Sequence, residues 1–178
     1  HLVRDARNHQ VDVREIDVNR SDWDCTLEYD HGVGTQPALR LGFRVIVGMK
    51  KEIADRISDA RRSGNFASQQ DLQRRADVSR KAMMKLAEAD AFSSLEQPRR
   101  DALWEAMAQQ DAKHEMPLFA NITDDESDLE LPEMKPSEQV EMDYLTSGLS
   151  LKGHPVEFCR DRLNQLGVLS SKDLLSRE

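Results

Sequence analysis

The sequence predicts a mainly α-helical protein with a short N-terminal α/β piece, two consecutive helical hairpins and C-terminal helices. Aromatic residues make up only 5% of the 178 residues, so the core must rest on aliphatic side chains and methionine, a composition that favours helices. From residue 44 onward, helix start and stop signals recur along the chain. Before that point apolar and polar residues alternate, as is typical of strands.

The N-terminal piece is predicted to contain one helix, two strands and a loop. Residues 2–7 have a helical pattern, and the alternation within 11–18 predicts a strand. Three Gly and Pro residues among polar neighbours predict a loop over 29–37, and the apolar run 38–43 predicts a second strand.

Capping signals mark the helices that follow. Ser68 and Asp71 have the spacing of a capping box, which predicts a short helix through residue 75. Ser79 is predicted to cap the next helix, with Val78 and Met83 as a hydrophobic staple and an end near residue 91. The apolar stripe Ile53, Ala54 and Ile57 predicts a helix that ends at Gly64. Pro98 suits the first turn of a further helix, which is predicted to bury Leu103, Trp104 and Met107. Two C-terminal helices are predicted at 137–147 and 156–166, and they end at Gly148 and Gly167.

The net charge of −8 conceals a division along the chain. Residues 36–100 hold fourteen Lys and Arg against eight Asp and Glu, whereas residues 105–147 hold two against twelve. Fields are screened within about 8–10 Å at ordinary salt, so the local patch decides whether a polyanion binds. The basic part can therefore contact nucleic acid, although a basic helical face is more often only solvated.

Simple patterns lead us to expect neither a membrane span nor a signal peptide in this sequence. No stretch approaches the roughly 20 apolar residues of a membrane span, and charged residues interrupt any apolar run of a signal peptide at the start of the chain. Cys25 and Cys159 lack the spacing of a metal site, so reduced thiols in a cytoplasmic protein are expected.

The segment 43–54 has the form of a helix-hairpin-helix. Gly48 provides the turn, because such a turn takes a positive φ and a phosphate must approach the backbone closely. The helix after the turn would present unpaired N–H groups to phosphate oxygens, with Lys50 and Lys51 adding charge. An ordinary helical corner is the alternative interpretation. The candidate DNA-binding residues are Arg44, Gly48, Met49, Lys50, Lys51, Arg80 and Lys81.

A second hairpin-like turn lies at 75–81, about thirty residues after the first. It places Arg80 and Lys81 at a helix start, and paired hairpins would form a compact (HhH)2 unit that grips both DNA strands. Because this turn lacks glycine, we predict a mainly structural role for it.

Several segments match one family of proteins in their residues and in their order along the chain. They are Arg4–His9, Asp17–Glu28, Ala38–Phe43, Leu86–Phe92, Arg99-Arg100, Ala102–Trp104 and Thr146–Pro155. Together they resemble the error-prone, DnaE-type (C-family) bacterial DNA polymerases. The sequences at 22–25 and 87–92 favour the branch of this family that belongs to the damage-induced mutasome.

The resemblance implies a division of the chain. It comprises the end of the fingers region at 1–37, a tandem helix-hairpin-helix DNA-binding domain at 38–112, an acidic linker at 113–136 and a helical segment before an oligonucleotide-binding fold at 137–178.

The resemblance also implies a DNA-directed DNA polymerase of damage tolerance and induced mutagenesis, whose palm aspartates hold magnesium. That palm is expected to precede this chain, so no catalytic residue is predicted here and Asp22, Asp24, Asp124 and Asp125 are read as loop or linker residues. Family hairpins often carry a second glycine where this chain has Lys50, which predicts greater reliance on side-chain charge.

A peptide resembling the family's clamp-binding motif follows the hairpins. Its residues are Glu115, Met116, Pro117, Leu118 and Phe119. Leu and Phe would fill an apolar pocket of the sliding clamp, but Glu replaces the usual Gln and removes an amide donor. A weak or lost site, with recruitment by a mutasome accessory protein, is therefore as compatible with the sequence as a working one. The alternative function is a protein-interaction module in which the hairpins are only scaffold.

Overall fold

The computed structural model describes residues 2–29, 36–108 and 131–175. The elements are α1 (Leu2–Asn8), β1 (Val13–Arg14), β2 (Thr26–Glu28), β3 (Ala38–Arg40), α2 (Lys51–Arg61), α3 (Gln69–Ala76), α4 (Arg80–Glu88), α5 (Arg99–Ala108), α6 (Pro136–Ser147), α7 (Arg160–Gln165) and α8 (Ser171–Leu175), with 3₁₀ turns at Phe43–Val45, Ser93–Leu95 and Pro155–Cys159. The predicted fold class, mainly α with tandem hairpins and a small α/β piece, is confirmed. Within the described ranges no helix is both long and apolar enough to cross a membrane.

The sheet is smaller than the sequence pattern predicted. Its strand order is β1-β3-β2, with β3 parallel to β1 and antiparallel to β2. Pairing of the first strand stops after Arg14, because the chain then turns into the core: Ile16 and Val18 are buried, and the Val18 amide donates to Ala91 O at 2.9 Å. The predicted strand over 11–18 was therefore too long.

One face of the sheet is held by an ion triad centred on Glu28. Its carboxylate accepts hydrogen bonds from Arg40 Nε at 2.8 Å and from Arg14 Nη1 at 2.7 Å. These guanidinium groups, Arg40 foremost, lower the pKa of Glu28 to about 2. The charged state of Glu28 thus stabilises the pairing of all three strands.

A buried polar network joins the N-terminal piece to the helical hairpins. The Asp17 carboxylate accepts from Ser93 Oγ at 3.0 Å and from the Ser94 amide at 2.8 Å. Asn19 bonds the backbone of Phe66 in both directions, as donor at 3.1 Å and as acceptor at 2.7 Å. Since buried polar groups need such partners, the network fixes residues 17–19 in one position against the helices.

Gly42 lies where two backbone segments touch. A Cβ built at this position would lie 2.5 Å from the carbonyl oxygens of both Trp23 and Asp24. The same segments exchange hydrogen bonds, with the amide of Arg44 donating to Trp23 O at 3.0 Å. Glycine is therefore required here for close approach, not for its φ.

The capping predictions were partly right. Ser68 Oγ accepts from the Asp71 amide at 3.1 Å, as predicted. Ser79 occupies the N-cap of α4 but makes no side-chain cap bond. Helix α6 begins one residue before Ser137, and the Glu138 carboxylate accepts from the backbone amide of the preceding N-cap residue at 3.1 Å.

Helix α5 buries a different face from the one predicted. Trp104 and Met107 are 58% and 51% exposed, whereas Ala102 and Ala106 are buried against α4. Small residues four positions apart let two helices approach closely, and this packing outweighs the larger apolar area of the opposite face. The prediction that Trp104 and Met107 are core residues was wrong.

Gly42→Ala is expected to destabilise the fold by about 1–3 kcal/mol, because the new methyl group meets rigid backbone on both sides. Urea denaturation measures the loss. The matched control is Gly153→Ala, where the added Cβ would lie 3.1 Å from the flexible Glu157 carboxylate and the change should stay within about 0.5 kcal/mol. Equal stabilities of the two variants would contradict the assigned role of Gly42.

Glu28→Gln should lower stability at neutral pH, and the difference from the parent should shrink as the solution is acidified. The folded-state pKa of about 2 lies below the ordinary glutamate pKa of 4.5, so the stabilisation is fully present above about 4.5 and is lost as pH falls toward 2. Urea midpoints of both proteins between pH 7 and pH 2.5 measure this convergence. A difference independent of pH would show that the carboxylate charge does not stabilise the sheet.

Candidate nucleic-acid interface

The two hairpin turns have a similar backbone geometry at an offset of 29 residues. Gly48 has a φ of +70°, and its counterpart Asp77 has a φ of +47°. The next residue in each turn, Met49 or Val78, is buried. The second turn therefore reaches the left-handed region without glycine, since aspartate tolerates that conformation better than most residues.

In the first hairpin, three consecutive amides at the start of α2 are open. The backbone N–H groups of Lys50, Lys51 and Glu52 find no acceptor among the described residues. Bonding within the helix begins with Ile53, whose amide donates to Lys50 O at 3.1 Å. This confirms the predicted geometry of an exposed helix N-terminus.

The second hairpin repeats this arrangement at the start of α4. The amides of Ser79, Arg80 and Lys81 likewise have no partner within the part of the chain that the structure describes. Ala82 is the first bonded residue, with its amide 2.9 Å from Ser79 O. Unpaired amides and the positive end of the helix dipole suit both turns to binding an anion.

The side chain of Met49, one of the predicted DNA-binding residues, does not face the surface. It is only 8% exposed and packs into the hydrophobic core, so it anchors the turn from inside. The missing second glycine has a simple explanation: Lys50 has a φ of −101° and a ψ of 140°, an extended conformation open to any residue. The chain therefore keeps the turn geometry without glycine at that position.

Two predicted lysines are exposed without an acidic partner in the described ranges. They are Lys50, at the N-cap of α2, and Lys81, in the first turn of α4. Arg80 is exposed as well, but its Nη2 donates to Met107 O at 2.5 Å. Lys50 and Lys81 are thus the cationic groups best placed to meet a bound anion.

The remaining predicted cations are engaged by neighbouring carboxylates. Lys51 Nζ lies 2.9 Å from Asp55, whose hydrogen bond raises the pKa of the lysine. Arg44 Nη1 lies 2.5 Å from Asp24. Both pairs lie at the surface, where ion pairs contribute little and readily exchange partners, so these cations remain secondary candidates.

Several arginines counted in the basic segment serve the interior instead. Arg75 illustrates this, because its guanidinium donates to Ala60 O at 2.6 Å and to Gly64 O at 2.7 Å and lies 4.6 Å from the centre of the Phe66 ring. Arg40, Arg61 and Arg99 are similarly committed to carbonyl and carboxylate oxygens. The exposed positive charge is therefore smaller than the sequence count indicated.

The predicted clamp peptide, comprising Glu115, Met116, Leu118 and Phe119, lies outside the described residues.

Within the described ranges, no group of three or more His, Cys, Asp or Glu side chains is arranged to hold a metal ion. His154 accepts from the Val156 amide at 3.2 Å and caps a 3₁₀ turn.

Comparison with known families agrees with this geometry. The helix-hairpin-helix motif family matches residues 10–102, which is more than half of the chain. The chain belongs to the helix-hairpin-helix family.

Curated relatives are similar over nearly all of the chain and confirm the resemblance to error-prone DNA polymerases. An error-prone DNA polymerase of Rhodopirellula baltica is 43% identical over 97% of the chain and 15% of its own length. Another, of Mesorhizobium japonicum, is 41% identical over 99% of the chain and 18% of its own length. Error-prone DNA polymerase 1 of Rhizobium meliloti is 40% identical over 97% of the chain. The chain thus spans less than a fifth of the length of these relatives.

Gly48→Ala is expected to cost more stability than Gly148→Ala. Both glycines have a positive φ, at +70° and +72°, so each alanine carries a conformational cost of about 1–2 kcal/mol. Only at Gly48 does the new Cβ also meet a side chain, Lys85 Nζ, which would lie 2.5 Å away, whereas Gly148 has open space. Urea denaturation of both variants measures the difference. An equal loss of unfolding free energy in both variants would mean that the contact of Lys85 with the turn does not contribute to stability.

Proposed function

We propose that this chain is a non-catalytic DNA-holding module of an error-prone DNA-directed DNA polymerase that acts in translesion synthesis and induced mutagenesis. The observation that carries the proposal is the repeated turn: two equivalent helix N-termini each direct three open amides outward. The similarity to error-prone DNA polymerases supports the biological setting, and a cytoplasmic location is part of the same proposal.

The chemistry of the two turns favours phosphate over bases as the group bound. Backbone amides and helix dipoles recognise phosphate oxygens, which are the same at every base pair. Gly48 has no side chain to hold a phosphate away from the first set of amides, and it is exposed. A module that binds in this way holds DNA without reading its sequence, as a polymerase that moves along any template requires.

Electrostatics should make this binding sensitive to salt. Lys50 and Lys81 add point charges beside the amides, while Asp77 places a 95% exposed carboxylate at the second turn. The first turn is therefore the stronger phosphate site. Each neutralised phosphate contributes roughly 0.9 to the slope of log affinity against log salt concentration.

Catalysis is assigned to other parts of the longer protein. We propose no catalytic residue in this chain, and nucleotidyl transfer with magnesium would belong to the palm of such a polymerase. Docking of Glu115–Phe119 on a sliding clamp, or recruitment by a mutasome accessory protein, belongs to the same proposal for the longer protein.

The double variant Lys50→Glu/Lys81→Glu should bind duplex DNA at least about tenfold more weakly than the parent, because two phosphate contacts become repulsive. The loss should be equal for unrelated sequences, and the salt slope should fall by about one for each contact. Fluorescence anisotropy with several labelled 20-base-pair duplexes, between 50 and 200 mM NaCl, measures both quantities.

The control is Lys135→Glu/Arg162→Glu, which makes the same change of charge at two exposed positions, the N-cap of α6 and the interior of α7. It should bind within about threefold of the parent, because its charges lie outside the two turns. Equal weakening by both double variants would reduce the effect to net charge and contradict the hairpin site. A parent that retains clamp or mutasome proteins in a pull-down but never binds DNA at low salt would favour the protein-interaction alternative.

A further inference from the structure

The turn of the first hairpin is held by a residue of the second. Lys85, in α4, donates from Nζ to the carbonyl oxygen of Val47 at 2.7 Å. The ammonium lies directly over the turn, since a Cβ built on Gly48 would fall 2.5 Å from it. The head of Lys85 is therefore committed to backbone 38 residues away in sequence.

The other polar group of Val47 is held from the opposite direction. Its amide donates to Thr146 O, at the end of α6, at 2.8 Å. Thr146 is buried and α6 is anchored by the ion pair of Asp143 with the buried Arg99. Both polar backbone groups of Val47 are thus fixed by elements remote in sequence, directly before the residue that makes the turn.

Lys85 has a counterpart under the 29-residue offset. Arg56 occupies the equivalent position in α2 and reaches the turn of the second hairpin, with Nη1 3.2 Å from Asp77 Oδ2. The two side chains of this pair are 45% and 95% exposed, so solvent weakens the contact. The Lys85 bond also lies at the surface, but the residue is half-buried overall and its acceptor is a backbone carbonyl, which cannot swing away as the Asp77 side chain can. Each hairpin therefore contacts the turn of the other, but only in the first turn is the backbone itself the acceptor.

We propose that Lys85 is a positioning residue of the first hairpin, which fixes the Val47–Gly48 turn so that the amides of Lys50, Lys51 and Glu52 face outward. The inference rests on the proposed DNA-holding function and deepens it. In this view Lys85 supports DNA binding by holding the turn in place, and its own ammonium does not contact a phosphate. A direct phosphate contact is the competing outcome.

The first experiment compares Lys85→Met, Lys85→Arg and the matched control Arg56→Met in the full 178-residue chain. Lys85→Met should weaken duplex binding roughly tenfold, because a charge-assisted bond that fixes the turn is lost. Lys85→Arg retains a donor and should bind within about threefold of the parent. Arg56→Met removes the same charge from the weak pair and should bind within about twofold. Equal losses at positions 56 and 85 would overturn the proposal.

Double variants separate positioning from direct contact. Combined with Lys50→Ala, in the first hairpin, Lys85→Met should cost clearly less than the sum of the single losses, because both act on one site. Combined with Lys81→Ala, in the second hairpin, the losses should add. Additive losses in both combinations would identify Lys85 as an independent phosphate contact and contradict the inference.

Amide hydrogen exchange tests the positioning role without DNA. Lys85→Met should speed exchange of the Val47 and Met49 amides by roughly tenfold or more while Leu72, in the core of α3, keeps its protection. Unchanged exchange at Val47 and Met49 would overturn the proposal even if affinity falls. If the parent binds no DNA, the proposed function fails, and this exchange difference still decides whether Lys85 holds the turn.

Discussion

The first amides of a helix have no partner within the helix, and the bend at a left-handed residue just before each hairpin helix leaves them without one elsewhere among the described residues. This geometry occurs at Gly48 and again at Asp77, 29 residues later. It depends on the buried side chains beside each turn, Met49 and Val78, which hold the bend against the core. The outward amides, the neighbouring lysines and the anion-binding character of the surface all follow from this one constraint.

The hairpins are not an independent unit in this fold. Asp17 and Asn19 fix the N-terminal piece to the helices through buried hydrogen bonds, and Val18 belongs to the same hydrophobic core as the hairpin residues. From the other side, the carbonyl of Thr146 in α6 accepts a hydrogen bond from the amide of Val47 in the turn. The division at residues 37 and 137 remains a proposal about the longer protein, and the described contacts cross both positions.

Arginine and lysine have different uses in this chain. Arg61, Arg75 and Arg99 satisfy carbonyl and carboxylate oxygens where loops meet helices, and their charge is largely hidden from solvent. The exposed cations beside the open amides are mostly lysines, notably Lys50 and Lys81. A planar guanidinium with five donors suits several fixed acceptors, whereas a flexible ammonium suits a solvated anion. Net charge is therefore a poor guide to the binding surface here.

Local signals determined much of this protein. Glycine at 48, the apolar stripe of α2 and the Ser68 cap predicted the hairpins and the candidate lysines from sequence alone, because turns and caps depend on neighbouring residues. Tertiary structure decided what depends on distant partners: the buried face of α5, the interior role of Arg75, and the grip of Lys85 on the first turn. Those contacts join residues far apart in the chain, and the local spacing of apolar and polar residues does not indicate which distant residues will be in contact.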